Sequence, residues 1–399
     1  MKGWRRTFWV VFVANLVSGA GLMSFLPYFP TLLEELGLQD ERAIAVWSGV
    51  LFGVAPLSAA FSGPLWGSVG DRYGRKLMVV RSLFGLALFV GLMTYARTPW
   101  ELLALRIAQG AFSGYMPPSL TLVSVSAPQD RVGQVTSWIQ TASTVGTILG
   151  PMLGVLLLER LDVHALFAVT GIGAGASGVL VLVFAREDAS GRAPAGRFSG
   201  REVLRAAWRD LVALGANPAV RSAMALYAAV HFALGATQPL TEFLVEATWS
   251  GDPGEVERLT GALFSVLAVT AIVATPAWGW AGDRFGHRFT LRLASVSSSL
   301  ALVAHALAPS YAWLFATRLL FGLASPGASA SAFGLAATTT EREQRGAAMG
   351  AVFSARCLAL AAGSFLGGSL MGLFGIRASF ALAGAAIALA LLAGRNARP

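Results

Sequence analysis

The sequence predicts an all-α membrane protein with 12 transmembrane helices in two pseudo-symmetric six-helix bundles. Three observations predict this. Of the 399 residues, 55% are hydrophobic and only 13% are charged, whereas a soluble domain carries roughly 25% charged residues and would aggregate through apolar patches of this extent. Apolar runs long enough to cross a bilayer, ~20 residues each, recur along the whole chain. The chain also repeats itself. GSVGDRYGRKLMV at Gly67–Val79 returns in altered form as GWAGDRFGHRFTL at Gly279–Leu291, and the pairs Asp71/Asp283, Arg106/Arg318, Gly110/Gly322 and Pro27/Pro239 all stand 212 residues apart.

The spans follow from apolar runs broken by charge or by Pro/Gly clusters. The first, 8–30, has a basic start like a secretory signal, but its run is too long for an h-region and no A-x-A site follows, so it reads as a retained span. Spans 46–69 and 77–95 flank the polar gap at Asp71, and 99–124, 134–158 and 164–185 complete the first half. The second half holds 222–246, 259–281, 289–308, 310–337, 346–370 and 376–394. The runs are continuous, which excludes a transmembrane barrel with its alternating strands. The organisation is therefore a bundle at 1–185, a linker at 186–221 and a bundle at 222–399. Within the linker, Phe198, Leu204, Trp208, Leu211 and Val212 fall near one helical face beside Arg201, Arg205 and Arg209. This suits a helix lying on the inner leaflet; a solvated tether is the alternative. The acidic gap at 246–258 reads as a solvated loop.

The net charge of +9 reflects placement rather than nucleic-acid binding. With the N-terminus inside, 20 of the 30 Lys/Arg fall in inner loops and ends, and only Arg42, Arg97, Arg160, Arg258 and Arg377 in outer loops. This positive-inside bias puts both termini in the cytoplasm and the chain in a bacterial or archaeal inner membrane. A single cysteine, Cys357, excludes an internal disulfide, and four scattered histidines show no ligand spacing, so no metal or cofactor is expected.

Three motifs carry mechanism. The turn after the second span holds Gly67, Asp71, Arg72, Gly74, Arg75 and Lys76, repeated in part as Asp283, Arg284 and Arg288. Gly74 permits a positive φ, the cations hold the turn at the cytoplasmic face, and Asp71 is an anion of the kind helix N-termini attract. The fourth span carries Leu102, Arg106, Gln109 and Gly110. A charge inside a span costs at least ~2.5–3.5 kcal/mol on insertion scales, so Arg106 should face protein or water, unless it snorkels to the outer end. The fifth span carries Gly146, Gly150, Pro151 and Gly154, with Val155 next. Small residues at four-residue spacing let helices approach closely and proline bends a helix. At 212 residues further on stand Leu358, Ala362, Gly363 and Leu366, without that motif.

These motifs, with Gly21, Pro27 and Pro30 in the first span, resemble the major facilitator superfamily over the whole chain. Within it they resemble the twelve-span drug–proton antiporters and their multidrug exporters. The resemblance implies that Asp71 docks near the start of span 11, that Arg131 belongs to this latch, that Arg106 takes part in proton transfer, and that the span-5 motif marks exporters. It also implies a cavity between the halves. Its candidate lining is Asn15, Ser24, Tyr115, Met116, Gln140, Tyr227, His231, Gln238, Ser325 and Arg356. Each of these has helix packing as its alternative role.

No Asp or Glu occupies the middle of any span, so the proton site falls on His231, which titrates in the physiological range when unperturbed, or on Glu242 near the end of span 7. The expected function is export of small amphipathic compounds by proton antiport through alternating access. The expected partners are substrate, protons and membrane lipid, with no nucleic acid, and the protein is expected to be a monomer. Arg356, a mid-span cation, leaves open a proton-coupled importer or a sugar, metabolite or organic-anion transporter. A receptor or scaffold that binds without flux is the rival from another class. No nucleophile–base pair or phosphate-binding GxxxxGK[ST] points to an enzyme.

Overall fold

The computed structural model describes residues 3–112, 114–128, 132–187, 218–339 and 345–395, together with 202, 205 and 209. Most of the linker, including the face proposed to lie on the membrane, is outside the described residues. Those described form helices and short connections, with no strand among them. In the first half α1 (Gly3–Phe25) passes through a 3-10 turn at Leu26–Tyr28 into α2 (Phe29–Glu35). Then come α3 (Glu41–Tyr73), α4 (Arg75–Met93), α5 (Pro99–Phe112), α6 (Met116–Ser126), α7 (Val132–Leu158) and α8 (Val163–Phe184). In the second half α9 (Pro218–Thr237) passes through a 3-10 turn at Gln238–Leu240 into α10 (Thr241–Glu246). It continues with α11 (Val256–Phe285), α12 (His287–Ala306), α13 (Tyr311–Ala324), α14 (Pro326–Thr339), α15 (Arg345–Phe374) and α16 (Ile376–Arg395).

The two halves keep the 212-residue offset from the first helix through the fifth, where Pro99–Phe112 matches Tyr311–Ala324 at both ends, and drift by a few residues after it. The 3-10 turns fall at Pro27 and Pro239, where the ring removes an N–H from the helical ladder. The fourth spans of both halves break at matching places, around Gly114–Tyr115 and at Ser325. Eight stretches are long and apolar enough to cross a membrane on composition alone. The remaining spans are divided at these breaks or, like Ile376–Leu392, are shorter. Large apolar side chains such as Ile172, Val273, Leu300 and Leu389 stand exposed on the helices, as a lipid-facing surface requires. Buried hydroxyls bond backwards to carbonyls one turn earlier, as Thr237 does to Ala233 at 2.8 Å and Ser295 to Leu291 at 2.8 Å. These hydroxyls are thereby paired within their own helices, as a low-dielectric surrounding favours.

The described residues within Met1–Leu26 and Ser58–Leu204 form one compact unit, and those within Pro27–Leu57 and Arg205–Pro399 a second. In the first unit α1 packs on α7 and α8, and α4 on α8 and α5; in the second α9 packs on α15 and α16, and α12 on α16 and α13. The pairings of the first half thus recur in the second. The units are not cut at the linker, because the first half of α3 packs with α15. A Cβ at Gly53 would stand 2.9 Å from the Ala361 carbonyl, and one at Gly49 would overlap that of Ser364.

The span-5 motif forms a close crossing. A Cβ at Gly150 would lie 2.6 Å from the Ala20 carbonyl, and one at Gly146 would overlap the Leu16 carbonyl. The second half, which lacks the motif, reaches the same approach by other residues. Gly363 and Gly367, the counterparts of Pro151 and Val155, bring α15 onto the carbonyls of Phe232 and Ala236.

Candidate functional site

The polar gap at Asp71 is shorter than its sequence suggests. α3 continues to Tyr73 and α4 begins at Arg75, so Gly74 alone lies outside a helix. Its φ of 109° reverses the chain in one residue, a conformation costly for any side chain with a Cβ. The copy does the same, with α11 ending at Phe285, Gly286 at φ 89° and α12 starting at His287. The side chains of Asp71 and Arg72 lie outside what the structure describes, as do the surroundings of Gly67 and all of Arg131. In the copy, Asp283 is exposed and its Oδ1 lies 3.6 Å from His287 Nε2. The Arg284 guanidinium sits 5.4 Å from the centre of the Trp280 ring, and Arg288 is exposed.

The anion at the start of α4 is Glu187, which sequence reasoning passed over. Its Oε1 accepts from the Arg75 backbone N–H at 2.8 Å and its Oε2 from that of Lys76 at 3.0 Å. Two of the free donors of the first turn are thereby satisfied by a charge of favourable sign. Nearby, the Arg186 N–H donates to Thr7 Oγ1 at 2.9 Å, fixing the chain after α8 against α1. The only sequence signal was an acid directly after the sixth span. Glu187→Ala should cost about 1 kcal/mol, read from chemical unfolding of the detergent-solubilised protein. An unchanged unfolding midpoint would remove this capping role.

Arg106 does not snorkel. It is buried on α5, and its Nη1 donates to Gln109 Oε1 one turn on. Two tryptophans, also unflagged by the motifs, tie the second span to the fourth in each half. Trp66 Nε1–H donates to the Ala111 carbonyl at 2.7 Å, and Trp278 Nε1–H to the Leu323 carbonyl at 2.7 Å. The Arg81 guanidinium lies 3.7 Å from the centre of the Trp66 ring, a cation–π contact.

The candidate cavity residues divide between the two units. In the first, Asn15 is buried and its Nδ2 donates to the Val11 carbonyl at 2.8 Å, with Oδ1 unpartnered. Ser24 is turned to α8, where its Oγ lies 3.4 Å from Thr170 Oγ1. Tyr115 is buried and hydrogen-bonded to Ser143, and Met116 is half-buried at the first turn of α6. The Gln140 side chain is outside what is described. Gly154 and Pro151 are buried on α7.

In the second unit the Tyr227 and His231 rings have centres 4.3 Å apart and are tilted by 60°, and His231 Nδ1 lies 3.0 Å from the Tyr227 carbonyl. Nδ1 therefore carries a proton. Ser329 bonds the Tyr227 hydroxyl, and Arg356 of α15 acts electrostatically on both rings. Arg356 is exposed, with no carboxylate paired to it among the described residues. Ser325 is buried at the end of α13, and Gln238 is half-buried in the 3-10 turn.

Glu242 is held differently. It is buried on α10, and Thr31 of α2 donates to its Oε1 at 2.7 Å. Its Oε2 is buried with no partner. Glu34, Glu246 and Glu257 are near enough to act on it electrostatically. The structure thus joins Glu242 to an acidic cluster and leaves His231 in a separate cationic one.

Residues 11–251 and 243–397 match the Major Facilitator Superfamily. Multidrug resistance protein MdtG of Dickeya zeae is 28% identical over 377 residues, covering 94% of this chain and 90% of that protein. MdtG of Salmonella typhimurium is 27% identical over 380 residues, covering 94% and 91%. Among solved structures, the human organic anion transporter MFSD10 superposes with a TM-score of 0.75 at 21% identity, covering 98% of this chain and 99% of that one. The nucleoside transporter NupG superposes with a TM-score of 0.80 at 13% identity, covering 98% and 100%. The repeated helix pairings, the glycine turns and the buried fourth-span arginine have one shared explanation: this chain belongs to the major facilitator superfamily.

Proposed function

We propose that this protein is a multidrug exporter of a bacterial inner membrane, carrying small amphipathic compounds outward by proton antiport through alternating access. The relatives named multidrug resistance protein support the cargo class, since they align over 94% of the chain. The span-5 motif at Gly146, Gly150, Pro151 and Gly154, which the resemblance associates with exporters, supports the direction. The observation that carries the coupling is Glu242. It is a buried carboxyl with one oxygen bonded by Thr31 and the other free of any partner, and a proton on Oε2 would remove a charge that is costly to bury. His231 is the second candidate and Arg106 the positioned cation. The moving bodies are 1–185 and 222–399, joined by 186–221. The protein acts as a monomer, both termini lie in the cytoplasm, and the charged turn at Asp71 with its copy at Asp283 latches one conformation.

A second reading rests on Arg356. A mid-helix cation with no carboxylate paired to it among the described residues, near Tyr227 and His231, suits substrates that carry an anionic group.

The test is accumulation of a fluorescent cationic dye and of a zwitterionic one in vesicles holding the purified protein. Accumulation should depend on an imposed pH gradient, and in Asp71→Asn it should slow by about tenfold, since an anion at a helix start is worth up to ~2 kcal/mol when partly buried. Dye binding should persist in that variant. Gradient-independent accumulation of every dye ends the antiport reading, and a wild-type rate in Asp71→Asn ends the latch.

A further inference from the structure

The second fourth-span arginine has no role so far. Arg318 of α13 is 0% exposed, and Nε and both Nη atoms of its guanidinium lack hydrogen-bond partners. The Phe264 ring of α11 lies 5.7 Å from it. Arginine keeps its charge in a protein interior, and a buried charge needs a counter-charge or a metal. Among the described residues no carboxylate is paired with it. Its counterpart Arg106 donates to Gln109. The corresponding step of the second half is occupied by Phe321, buried and without an acceptor. Duplication has kept the cation here while the internal oxygen that answers it is gone.

A second group lies within electrostatic reach of it and touches the residue before it. His305 of α12 is buried, with Nδ1 2.7 Å from Thr317 Oγ1, and its Nε2 is buried without a partner. Thr317 precedes Arg318 and its hydroxyl reaches the Trp313 carbonyl at 2.8 Å. Rotation of that hydroxyl toward Nδ1 would place the imidazole proton on Nε2 and turn it into a donor. Water could occupy these donors, but it would leave the guanidinium charge unanswered.

We propose that Arg318, with His305 and Thr317, forms a buried site for one small monovalent anion, an inorganic halide or a compact carboxylate. The Arg318 fork is the primary donor and His305 Nε2 the second. Phe264, buried with its ring 5.7 Å from the Arg318 guanidinium, restricts the site to a small ion.

The test uses the full chain purified in detergent, with gluconate as an anion too bulky to enter. Replacing gluconate by bromide, or separately by acetate, at constant ionic strength should raise Tm saturably by about 2–4 °C. A bromide response identifies an inorganic anion, and a response to acetate alone identifies a carboxylate. Arg318→Gln should lose the response. Phe321→Gln, which restores the acceptor found beside Arg106, should weaken it several-fold, and it carries the test if Arg318→Gln does not fold. Identical Tm values in all three anions overturn the proposal. So does a full wild-type response in Arg318→Gln or in Phe321→Gln.

Discussion

Glu242→Gln is expected to abolish gradient-driven accumulation while leaving substrate binding measurable. Glutamine keeps the size of the side chain and an acceptor for Thr31, whose hydroxyl donates to Glu242 Oε1 at 2.7 Å. It cannot pick up and release a proton. One charge moved down ~100 mV is worth about 2.3 kcal/mol, or about a fifty-fold concentration ratio, and that ratio is what the variant should lose. Passive exchange between unlabelled and labelled substrate should survive. The measurement is steady-state accumulation with and without a pH gradient, for the wild type, Glu242→Gln and His231→Gln. Full gradient dependence in Glu242→Gln would move the proton site away from this carboxyl. Its loss only in His231→Gln would place the site at the Tyr227–His231–Arg356 cluster instead.

Gly363→Ala should be severely destabilising, although the position carries no recognisable motif. Its added Cβ would overlap the Phe232 carbonyl, a backbone atom that cannot swing aside. Gly146→Ala meets the Leu16 carbonyl in the same way. Overpacking of this kind costs about 1–3 kcal/mol, with backbone clashes at the upper end. Gly279→Ala is the opposite control. It sits inside α11 with nothing within 4 Å of its Cβ, so it should stabilise by up to ~1 kcal/mol through helix propensity. Unfolding of the three variants in detergent compares them directly. Equal shifts at Gly363 and Gly279 would show that α9 and α15 do not approach through their backbones.

Much of the fold was legible because bilayer chemistry is strict. Apolar runs had to be helices, and the 212-residue repeat had to give two similar halves. Gly74 was readable as a positive-φ turn, although the gap around it shrank to one residue since the helices on either side extend to it. The site was less legible. Sequence offered Tyr227, His231 and Glu242 on the seventh span and Arg356 on the eleventh as separate candidates, without showing that Thr31 bonds Glu242 or that Ser24 is turned to Thr170. Glu187 and the two tryptophan ties escaped because each acts on a backbone group far away in sequence.

The sequence by itself determined that the chain is a duplicated helical membrane protein, since hydropathy, positive charge and repeated motifs are properties of residue order. Only the tertiary structure decided which polar groups are answered and which are not. Arg106 finds Gln109 along its own helix, whereas Arg318 meets phenylalanine and a histidine from a neighbouring one. The physical reason is that burial and hydrogen bonding depend on what packs against a side chain. Two copies of one motif can therefore diverge in electrostatics while their helices remain superimposable in order.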